Sequence, residues 1–302
     1  MLNNKIPRSK SAFTLIELSI VLIIIGLLVG GVTGASSLIY SAKLKSARMM
    51  SKSSAVITSE DLVLWLDATA KDAYSEVEGL SDESDVTTFK NVSPQSSGGD
   101  LTQLIASLKP HYLKSGINGL PAVKFTGGSG QNMLSNQFSS TVQNKDFTIF
   151  AVFKFDETVA ESSGGFIKFI SEDSNLGGAP VLSTSIYKSV VYNFAAGSGG
   201  NANAITGYSY NDRLPALVTI KYDFVLDKAN IDIDIDNKKF ANNTSFSNFF
   251  ASGSAANKLS YLHLLANNEE DFKIGEIALY SRKLHDDEIN NIKKYLVKKW
   301  GI

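Results

Sequence analysis

The stretch Phe13–Gly34 reads FTLIELSIVLIIIGLLVGGVTG, an apolar run that contains a single charged residue, Glu17. No acidic or basic side chain follows between Leu18 and Ala42. An α-helix rises about 1.5 Å per residue, so this segment is long enough to cross about 30 Å of hydrocarbon. The sequence therefore predicts a long membrane-spanning helix over 13–34, with an extension into water over 35–58.

Glu17 is unfavourable in such a helix, because a central membrane charge costs about 2.5 to 3.5 kcal/mol on insertion scales. A plain signal anchor has no need of this charge. A secretory signal peptide is a further alternative, since Thr33, Gly34 and Ala35 are small residues of the kind that a signal peptidase accepts. An acid at this position indicates that some interaction in the mature protein offsets the cost of its charge.

Residues Ser11–Glu17, SAFTLIE, together with the basic leader and the apolar run, resemble the processing site of type IV prepilins and of type II secretion pseudopilins. The resemblance implies that a prepilin peptidase cuts between Ala12 and Phe13 and that Phe13 is then methylated. It also implies that the helix packs with other pilin or pseudopilin subunits, and that Glu17 meets the terminal ammonium of a neighbour. The family usually has glycine at the position of Ala12, and many major pilins have proline at that of Gly34.

Composition and charge limit the other functions. The chain has 302 residues and a formal net charge of −1, and loss of a leader at 1–12 leaves 26 of the 29 basic residues against 30 acidic ones. This balance does not favour nucleic-acid binding. The basic leader places the N-terminus in the cytoplasm and the rest in the periplasm, which predicts a single-pass inner-membrane protein that later reaches a filament or the cell surface. With no cysteine in the chain, core packing must hold the exterior part together.

Beyond Ser59 the pattern becomes strand-like. Leu217–Phe224 alternates apolar and polar residues, which predicts one buried and one solvated face, whereas Phe147–Phe155 is apolar on both faces. Further strand-like runs are Leu62–Leu66, Phe166–Ile170, Ser189–Phe194, Ile231–Asp236, Leu259–Leu264 and Ile274–Tyr280. Their spacing predicts an all-β antiparallel sandwich at 59–302, after the leader at 1–12 and the helix at 13–58.

The chain ends in a predicted short helix. Apolar residues recur at helical spacing, behind the acidic run 286–288 and before Gly301, at Ile289, Ile292, Leu296 and Trp300. Four lysines, Lys293, Lys294, Lys298 and Lys299, suit the C-terminal end of a helix.

Four segments of the exterior part resemble laminin-G-like, concanavalin A-like jelly-roll modules: Leu62–Ala68, Asn118–Phe125, Phe147–Phe153 and Ile274–Tyr280 with the C-terminal Lys299–Ile302. The resemblance implies a jelly-roll fold from about residue 59 to the end. Such modules bind sugars, proteins or calcium in some members, so the fold by itself does not specify a function.

The sequence contains only incomplete patterns for catalytic and metal sites. The Glu-x-Asp-x-x-Glu pattern of sandwich glycoside hydrolases is broken in Glu269–Ile274, where isoleucine stands at the third acid position. The alternating acids Asp232, Asp234 and Asp236 lack the glycine and glutamate of an EF-hand loop, and they fit the solvated face of a strand. The three histidines, His111, His263 and His285, are too scattered for a zinc site. No enzyme activity, catalytic residue or metal site is therefore predicted, and no cofactor apart from an open possibility of calcium.

One loop has the composition of a sugar site. Tyr208, Tyr210, Asn211 and Asp212 combine aromatic rings with polar groups, although the same residues also suit a turn. The sequence thus favours a pilin-like or pseudopilin subunit, in a minor or tip position because its head is large, with a head that recognises a glycan or a surface protein. The alternative is an anchored or secreted binding module outside any filament.

Overall fold

A computed structural model describes residues 14–75, 80–138, 142–143, 145–156, 167–170, 182–187, 191–196, 202–205, 214–235, 238–247, 258–266 and 271–302. The chain divides into two compact units, Met1–Lys43 and Leu44–Ile302. The predicted processing residues Ala12 and Phe13 lie outside the described residues and stay predictions.

Helix α1 begins at Leu15 in the first unit and ends at Lys52 in the second. Its large apolar side chains are exposed from Leu15 to Val29. The helix continues through Gly30 and Gly31, where an added Cβ would meet nothing within 4 Å. Within the described part of the chain, one helical segment, Leu15–Thr58, is long and apolar enough to cross a membrane. A helix that is apolar all round needs lipid or other protein to cover it.

The second unit contains the short helix α2 (Ala55–Thr58) and the C-terminal helix α3 (Asp286–Trp300). The described strands before the middle of the unit are β1 Leu62–Asp67, β2 Ser84–Asp85, β3 Thr88–Phe89, β4 Leu101–Thr102, β5 His111–Ile117, β6 Leu120–Phe125, β7 Asn132–Ser135, β8 Val142–Gln143, β9 Phe147–Phe155 and β10 Ile167–Ile170. They are followed by β11 Leu182–Tyr187, β12 Val191–Ala196, β13 Ala202–Ile205, β14 Ala216–Asp223, β15 Lys228–Ile235, β16 Lys238–Ser247, β17 Lys258–Leu259, β18 Tyr261–Leu265 and β19 Phe272–Tyr280. Among the described residues, a 3₁₀ turn lies at Ala106–Leu108.

The strands form two large antiparallel sheets. The first has the order β16-β15-β14-β9-β19-β6-β5-β2, and β1 also pairs with β19. The second has the order β13-β12-β11-β10-β18-β7-β4-β3, while β17 and β8 form a separate pair. One core contains residues of both sheets, among them Phe153, Val218, Phe169 and Leu262. The predicted antiparallel sandwich is therefore confirmed. The more specific assignment to a jelly roll of the laminin-G type stays a prediction.

Strand β19 organises the first sheet. It pairs with β9 over its length, while its other edge pairs first with β6 at Phe272–Ile274 and then with β1 at Glu276–Tyr280. Gly275 lies at this change of partner, and a Cβ built on it would come within 2.8 to 3.0 Å of the Trp300 ring. Only glycine lets the indole approach the strand this closely. The next residue, Glu276, lies beneath α3.

The outer face of the first sheet is covered by helix, not by water. A second core on this face includes Leu217 of β14, Val56 of α2, Ala47 of α1 and Trp300 of α3. Thr219, on the polar side of β14, is only 2% exposed. The prediction of a solvated face for β14 is therefore wrong. The alternation of apolar and polar residues shows which residues are polar, but it does not show which element packs over them.

The acids of β15 need the same correction. Asp232 and Asp234 are not on a solvated strand face, since Lys293 of α3 lies 3.1 Å and 2.6 Å from their Oδ2 atoms. Asp236 lies outside the described residues. The local pattern of β15 could not predict this pairing, because the cation comes from a helix far along the chain.

Helix α3 has the predicted bounds, and its ends are well defined. Glu288 accepts the His285 N–H at 2.9 Å, which gives this N–H at the start of the helix a hydrogen-bond partner. Glu288 also pairs with Arg282 at 2.5 Å. Gly301 has φ 68°, a left-handed conformation that favours glycine and ends the helix.

Candidate functional sites

Glu17 lies in the first turn of α1 and is held by its own chain. Its Oε2 accepts the backbone N–H and the hydroxyl of Thr14, each at 2.8 Å. The Thr14 hydroxyl oxygen in turn accepts the Glu17 N–H at 3.3 Å. This reciprocal arrangement is a capping box, whose T-x-x-E signature was present in the sequence. It keeps an exposed carboxylate at the start of the helix, where a cation from another molecule can reach it.

The predicted sugar-binding loop is not among the described residues. Tyr208, Tyr210, Asn211 and Asp212 all fall in the gap between 205 and 214. The structure therefore neither brings them together nor separates them, and their role stays a prediction.

The described residues of the broken hydrolase pattern, 271–274, belong to the fold and not to a catalytic site. Asp271 pairs with Lys124 at 2.8 Å and accepts the Gly127 N–H at 2.9 Å. Ile274, at the third acid position, is fully buried in the core between the sheets. Glu269 and Glu270 lie outside the described residues, and Glu276, the next acid along the chain, faces α3.

The histidines are dispersed over the second unit. His111 lies 3.4 Å from Asp85, His263 is on β18, and His285 precedes α3. Burial, with a smaller contribution from Lys168, lowers the pKa of His263 to about 4. In the described ranges, no group of three or more His, Asp or Glu side chains is placed to hold a metal ion.

A polar cavity of about 220 Å³ lies between α3 and the outer face of the first sheet, and we call it the outer-face cavity. Nearly all its lining side chains are polar, with Ile289 as the exception; they include Thr219, Lys221, Asn230, Asp232, Asn290 and Lys293. A cavity with this lining suits a polar occupant.

The charges around the outer-face cavity are paired with each other. Lys221 lies 2.7 Å from Asp286, and Lys293 lies 3.1 Å from Asp232 and 2.6 Å from Asp234. An additional ion entering the cavity would therefore have to compete with an existing partner.

Two neutral polar atoms at the same place are left without partners. The Thr219 hydroxyl and the Asn230 side-chain oxygen are buried and make no hydrogen bond to any described residue. Buried polar groups are nearly always hydrogen-bonded, and an unmade bond costs about 1 to 3 kcal/mol. A neutral molecule rich in hydroxyl groups would supply both a donor and an acceptor.

A second site was not predicted from the sequence. We call it the buried polar cluster: Ser51 of α1, Asp67 of β1, Glu276 of β19, and Tyr295 and Lys299 of α3. The Lys299 Nζ lies 2.8 Å from Asp67 Oδ1 and 2.7 Å from Glu276 Oε2, and these three side chains are at most 1% exposed. Nζ also donates to the hydroxyls of Ser51 at 2.9 Å and Tyr295 at 3.0 Å.

Each carboxylate of the cluster has further donors. Glu276 accepts hydrogen bonds from the Trp65 indole at 2.8 Å, the Trp300 indole at 2.9 Å and the Tyr295 hydroxyl at 2.8 Å. Asp67 Oδ1 accepts the Thr69 N–H at 2.9 Å and the Thr69 hydroxyl at 2.7 Å. Asp67 Oδ2 accepts the Ser51 hydroxyl at 2.7 Å.

The two carboxylates have opposite pKa shifts. Burial raises the pKa of Glu276, and repulsion from Asp67 adds to this, against the attraction of Lys299. Burial also disfavours ionisation of Asp67, but Lys299 and the hydroxyls of Ser51 and Thr69 outweigh it and lower the pKa of Asp67. Lys299 attracts both carboxylates, but it outweighs burial only at Asp67 together with the hydroxyls.

Sequence reasoning placed Lys299 at the C-terminal end of the closing helix, and this position is confirmed, but the burial of the lysine was not predicted. Lys299 lies three residues after Leu296 and so shares the buried face of α3 with it. Asp67 and Glu276 each interrupt an apolar strand run, a pattern that often marks a buried, paired charge. These two signals together were available in the sequence.

Comparison with known proteins identifies the N-terminal segment. Residues 7–33 match the prokaryotic N-terminal methylation motif. The segment around Glu17 is therefore of the type IV pilin type, and it is joined to an antiparallel β-sandwich. The comparison with curated proteins gave no match.

Several solved structures are similar to part of this chain. The Trypanosoma rangeli sialidase in complex with sialic acid is 15% identical with a TM-score of 0.49, over 80% of this chain and 34% of that one. The binding domain of Paraclostridial Mosquitocidal Protein 1 is 12% identical with a TM-score of 0.49, over 80% and 55%. The binding domain of Botulinum Neurotoxin DC in complex with SialylT is 12% identical with a TM-score of 0.48, over 78% and 52%.

The chain thus spans about a third of the sialidase and about half of the two binding domains. At these identities and TM-scores, nothing about the function of this chain follows from the likeness. The ligands and activities named for those proteins are theirs alone.

Proposed function

We propose that the protein is a subunit of a type IV pilus or a type II secretion pseudopilus, assembled through α1. The methylation motif at 7–33 is the observation that carries this proposal. It is supported by the apolar surface of α1, which is exposed on every side and needs lipid or other subunits to cover it. Before assembly the helix lies in the inner membrane with the head in the periplasm.

Processing and assembly follow from the same segment. Prepilin peptidase cuts between Ala12 and Phe13, and the methylated ammonium of Phe13 pairs with Glu17 of a neighbouring subunit. The capping box supports this role, because it fixes the Glu17 carboxylate at the helix start and leaves it exposed. Pairing in the filament offsets the cost of a charge in apolar surroundings.

The head of this subunit favours a minor or tip position. The second unit, Leu44–Ile302, is much larger than the helical unit, and a large head is difficult to repeat at every subunit of a thin fibre. Filaments in which this protein is the dominant species would contradict the minor or tip assignment and leave the assembly proposal intact.

Mass spectrometry of the mature N-terminus tests the proposal. We expect a peptide that begins at methylated Phe13 in membranes and in sheared filaments. The Glu17→Ala variant should be processed but not assembled, whereas Ser19→Ala, which removes a polar group from the same exposed turn region, should assemble normally. A chain that begins near Ser36, or that retains Met1, would show a secreted or simply anchored protein and would refute the proposal.

A binding role for the head is a second proposed function, and the outer-face cavity favours it. The unpartnered Thr219 hydroxyl and Asn230 oxygen, set among paired charges, suit a neutral hydroxyl-rich ligand such as a sugar residue. The loop with Tyr208 and Tyr210 is a separate proposed site, for a glycan or a surface protein. An anchored or secreted binding module outside a filament remains the alternative to a pilin-borne one.

Glycan-array binding by the fragment Leu44–Ile302 tests the binding role, with and without calcium. Thr219→Val removes the cavity hydroxyl without changing the side-chain shape, and Tyr208→Ala removes a ring from the loop. Loss of binding in one variant alone assigns the site. Thr102→Val, at an exposed strand position, is the control. The absence of any glycan bound by the unmodified fragment would contradict a sugar-binding head.

A further inference from the structure

The buried polar cluster brings an amine and a carboxylate together, and neither side chain is exposed at the surface of the head. We propose that Lys299 and Asp67 become joined by an intramolecular amide bond, with Glu276 as the catalytic proton acceptor. The proposal does not depend on the filament function. It rests on three charged side chains, Asp67, Glu276 and Lys299, which are each at most 1% exposed. Both carboxylates lie within 2.8 Å of the Lys299 Nζ.

The reacting groups are already held in place. Lys299 Nζ lies 2.8 Å from Asp67 Oδ1 and 2.7 Å from Glu276 Oε2. The backbone and hydroxyl of Thr69 fix the carboxylate, and the Trp65 and Trp300 indoles fix Glu276. Such prior positioning removes most of the entropic barrier to a condensation between two side chains.

The reaction balances without any added reactant. The bond between Asp67 Cγ and Lys299 Nζ forms, and the bond between Cγ and Oδ2 breaks. The lysine ammonium loses two protons, Oδ2 gains both, and one water molecule leaves. No atom is oxidised or reduced, so the folded chain needs no cofactor.

The cluster contains a path for these protons. Lys299 donates to the Ser51 hydroxyl at 2.9 Å, and Ser51 donates to Asp67 Oδ2 at 2.7 Å. Glu276 takes a proton from the ammonium, which leaves a neutral amine able to attack Cγ. It returns the proton through the Tyr295 hydroxyl, which lies 2.8 Å from Glu276 Oε1 and 3.1 Å from Ser51.

The tetrahedral intermediate has its own stabilising groups. Negative charge develops on Asp67 Oδ1, which the Thr69 N–H and hydroxyl contact at 2.9 Å and 2.7 Å. The oxygen that leaves, Oδ2, faces Ser51. Ser51 and Asp67 both line a cavity of about 370 Å³, into which the released water can move.

Burial favours the product over the reactants. The resting cluster holds Lys299 and Asp67 as an ion pair, and charges taken out of water are costly even when paired. The amide is neutral, and its polar atoms keep Thr69 and Glu276 as hydrogen-bonding partners. The raised pKa of Glu276 agrees with its role, because a carboxyl that binds protons readily can both accept and return one.

The bond would connect the two ends of the head. Asp67 ends β1, a short distance along the chain from α1, and Lys299 lies one residue before the end of α3. In a chain without cysteine, it would serve the purpose that a disulfide serves elsewhere. Tension applied through α1 would then pass to α3 through a covalent bond.

Mass spectrometry of the full chain, purified from membranes in detergent, tests the proposal. We expect a mass lower than that of the processed sequence by one water molecule, and a proteolytic peptide in which the segment around Asp67 is linked to Lys299. Trypsin should fail to cut after Lys299 in the denatured protein. Peptide mapping separates this loss from any change at the N-terminus.

Variants assign the roles within the cluster. Glu276→Gln keeps the shape of the side chain but cannot accept the proton, so we expect the full mass and tryptic cleavage after Lys299. Lys299→Met should also show the full mass, whereas the control Lys298→Met, on the exposed side of α3, should keep the cross-link. A cross-link that persists in Glu276→Gln would contradict the role of Glu276. Full mass in the unmodified chain, with Trp300–Ile302 released by trypsin, would overturn the proposal whether or not any variant folds.

Discussion

Replacement of Lys293 by methionine tests whether α3 covers the outer face of the first sheet. Methionine keeps most of the length of the lysine stem, so the packing of α3 changes little and the loss of charge dominates. Lys293 is 8% exposed. The Lys293→Met variant removes the ammonium that pairs with Asp232 and Asp234 beneath the helix.

The expected size of the effect follows from the distances and the exposure. The Lys293 ammonium lies 2.6 Å from Asp234 and 3.1 Å from Asp232, and unit charges at such distances attract by roughly 5 to 6 kcal/mol at an effective dielectric constant of about 20. Desolvation cancels much of this. Removing one partner costs about 3 to 5 kcal/mol in fully buried pairs and about 0 to 1 kcal/mol at the surface. The side chains of Asp234 and Asp232 are 10% and 22% exposed, so these pairs lie between the two limits. We therefore expect Lys293→Met to lower the free energy of unfolding by about 2 to 3 kcal/mol.

Urea unfolding of the fragment Leu44–Ile302 measures this change. The fluorescence of Trp65 and Trp300 reports on unfolding, because both tryptophans are buried against the first sheet. Lys294→Met is a matched control, since Lys294 is the next residue of α3 and is exposed. The control should alter the free energy of unfolding by less than about 0.5 kcal/mol.

A second substitution separates charge from packing. When Asp232→Asn and Asp234→Asn are added to Lys293→Met, the uncompensated charges disappear and we expect most of the stability to return. If Lys293→Met and Lys294→Met gave the same free energy of unfolding, β14 and β15 would have a solvated outer face, and the buried ion pairs beneath α3 would be refuted.

Three further predictions concern the same unit. Gly275→Ala should destabilise the fragment by about 1 to 3 kcal/mol, because the new Cβ overlaps the buried Trp300 ring; an unchanged urea midpoint would contradict this packing. A fragment that begins at Ser59 should be less stable than one that begins at Leu44, since it lacks the buried side chains of α1 and α2; equal midpoints would instead support the predicted domain boundary at 59. Because the pKa of His263 falls from 6.5 in the unfolded chain to about 4 in the fold, the unfolded state binds the additional proton, and stability should be lost as the pH falls from 6.5 to about 4. Urea midpoints of the unmodified fragment and of His263→Gln across this range check the effect, and identical slopes would disprove it.

Local patterns were sufficient for the general architecture. The length of the apolar run, the acid at Glu17 and the basic leader depend on neighbours in sequence, so the long apolar helix and the methylation motif could be read directly. The strand runs Phe147–Phe155 and Ile274–Tyr280, and helix α3, were also predicted at or close to their observed bounds. The two strands are nearly continuous apolar runs, and helix α3 has apolar residues at helical spacing, so local sequence identifies each of them.

Strands with weaker patterns were not recognised. β11, β13 and β16 contain many Ser, Asn and Ala residues and show little apolar alternation, so periodicity does not distinguish them from loops. Their place in the sheets comes from pairing with β10, β12 and β15, which already have a register. Tertiary context overrides weak local preference in such strands.

The sequence by itself determined the pilin-type N-terminus, the change from helix to sandwich and the closing helix. Only the tertiary structure decided the surroundings of the charged residues. Asp67, Glu276 and Lys299 are dispersed along the chain, and each is ordinary by itself. The free energy of a charge depends on burial and on the partner within a few ångströms, and folding brings that partner from another element. For this reason Lys299 at the end of a helix proved to be the centre of the buried polar cluster.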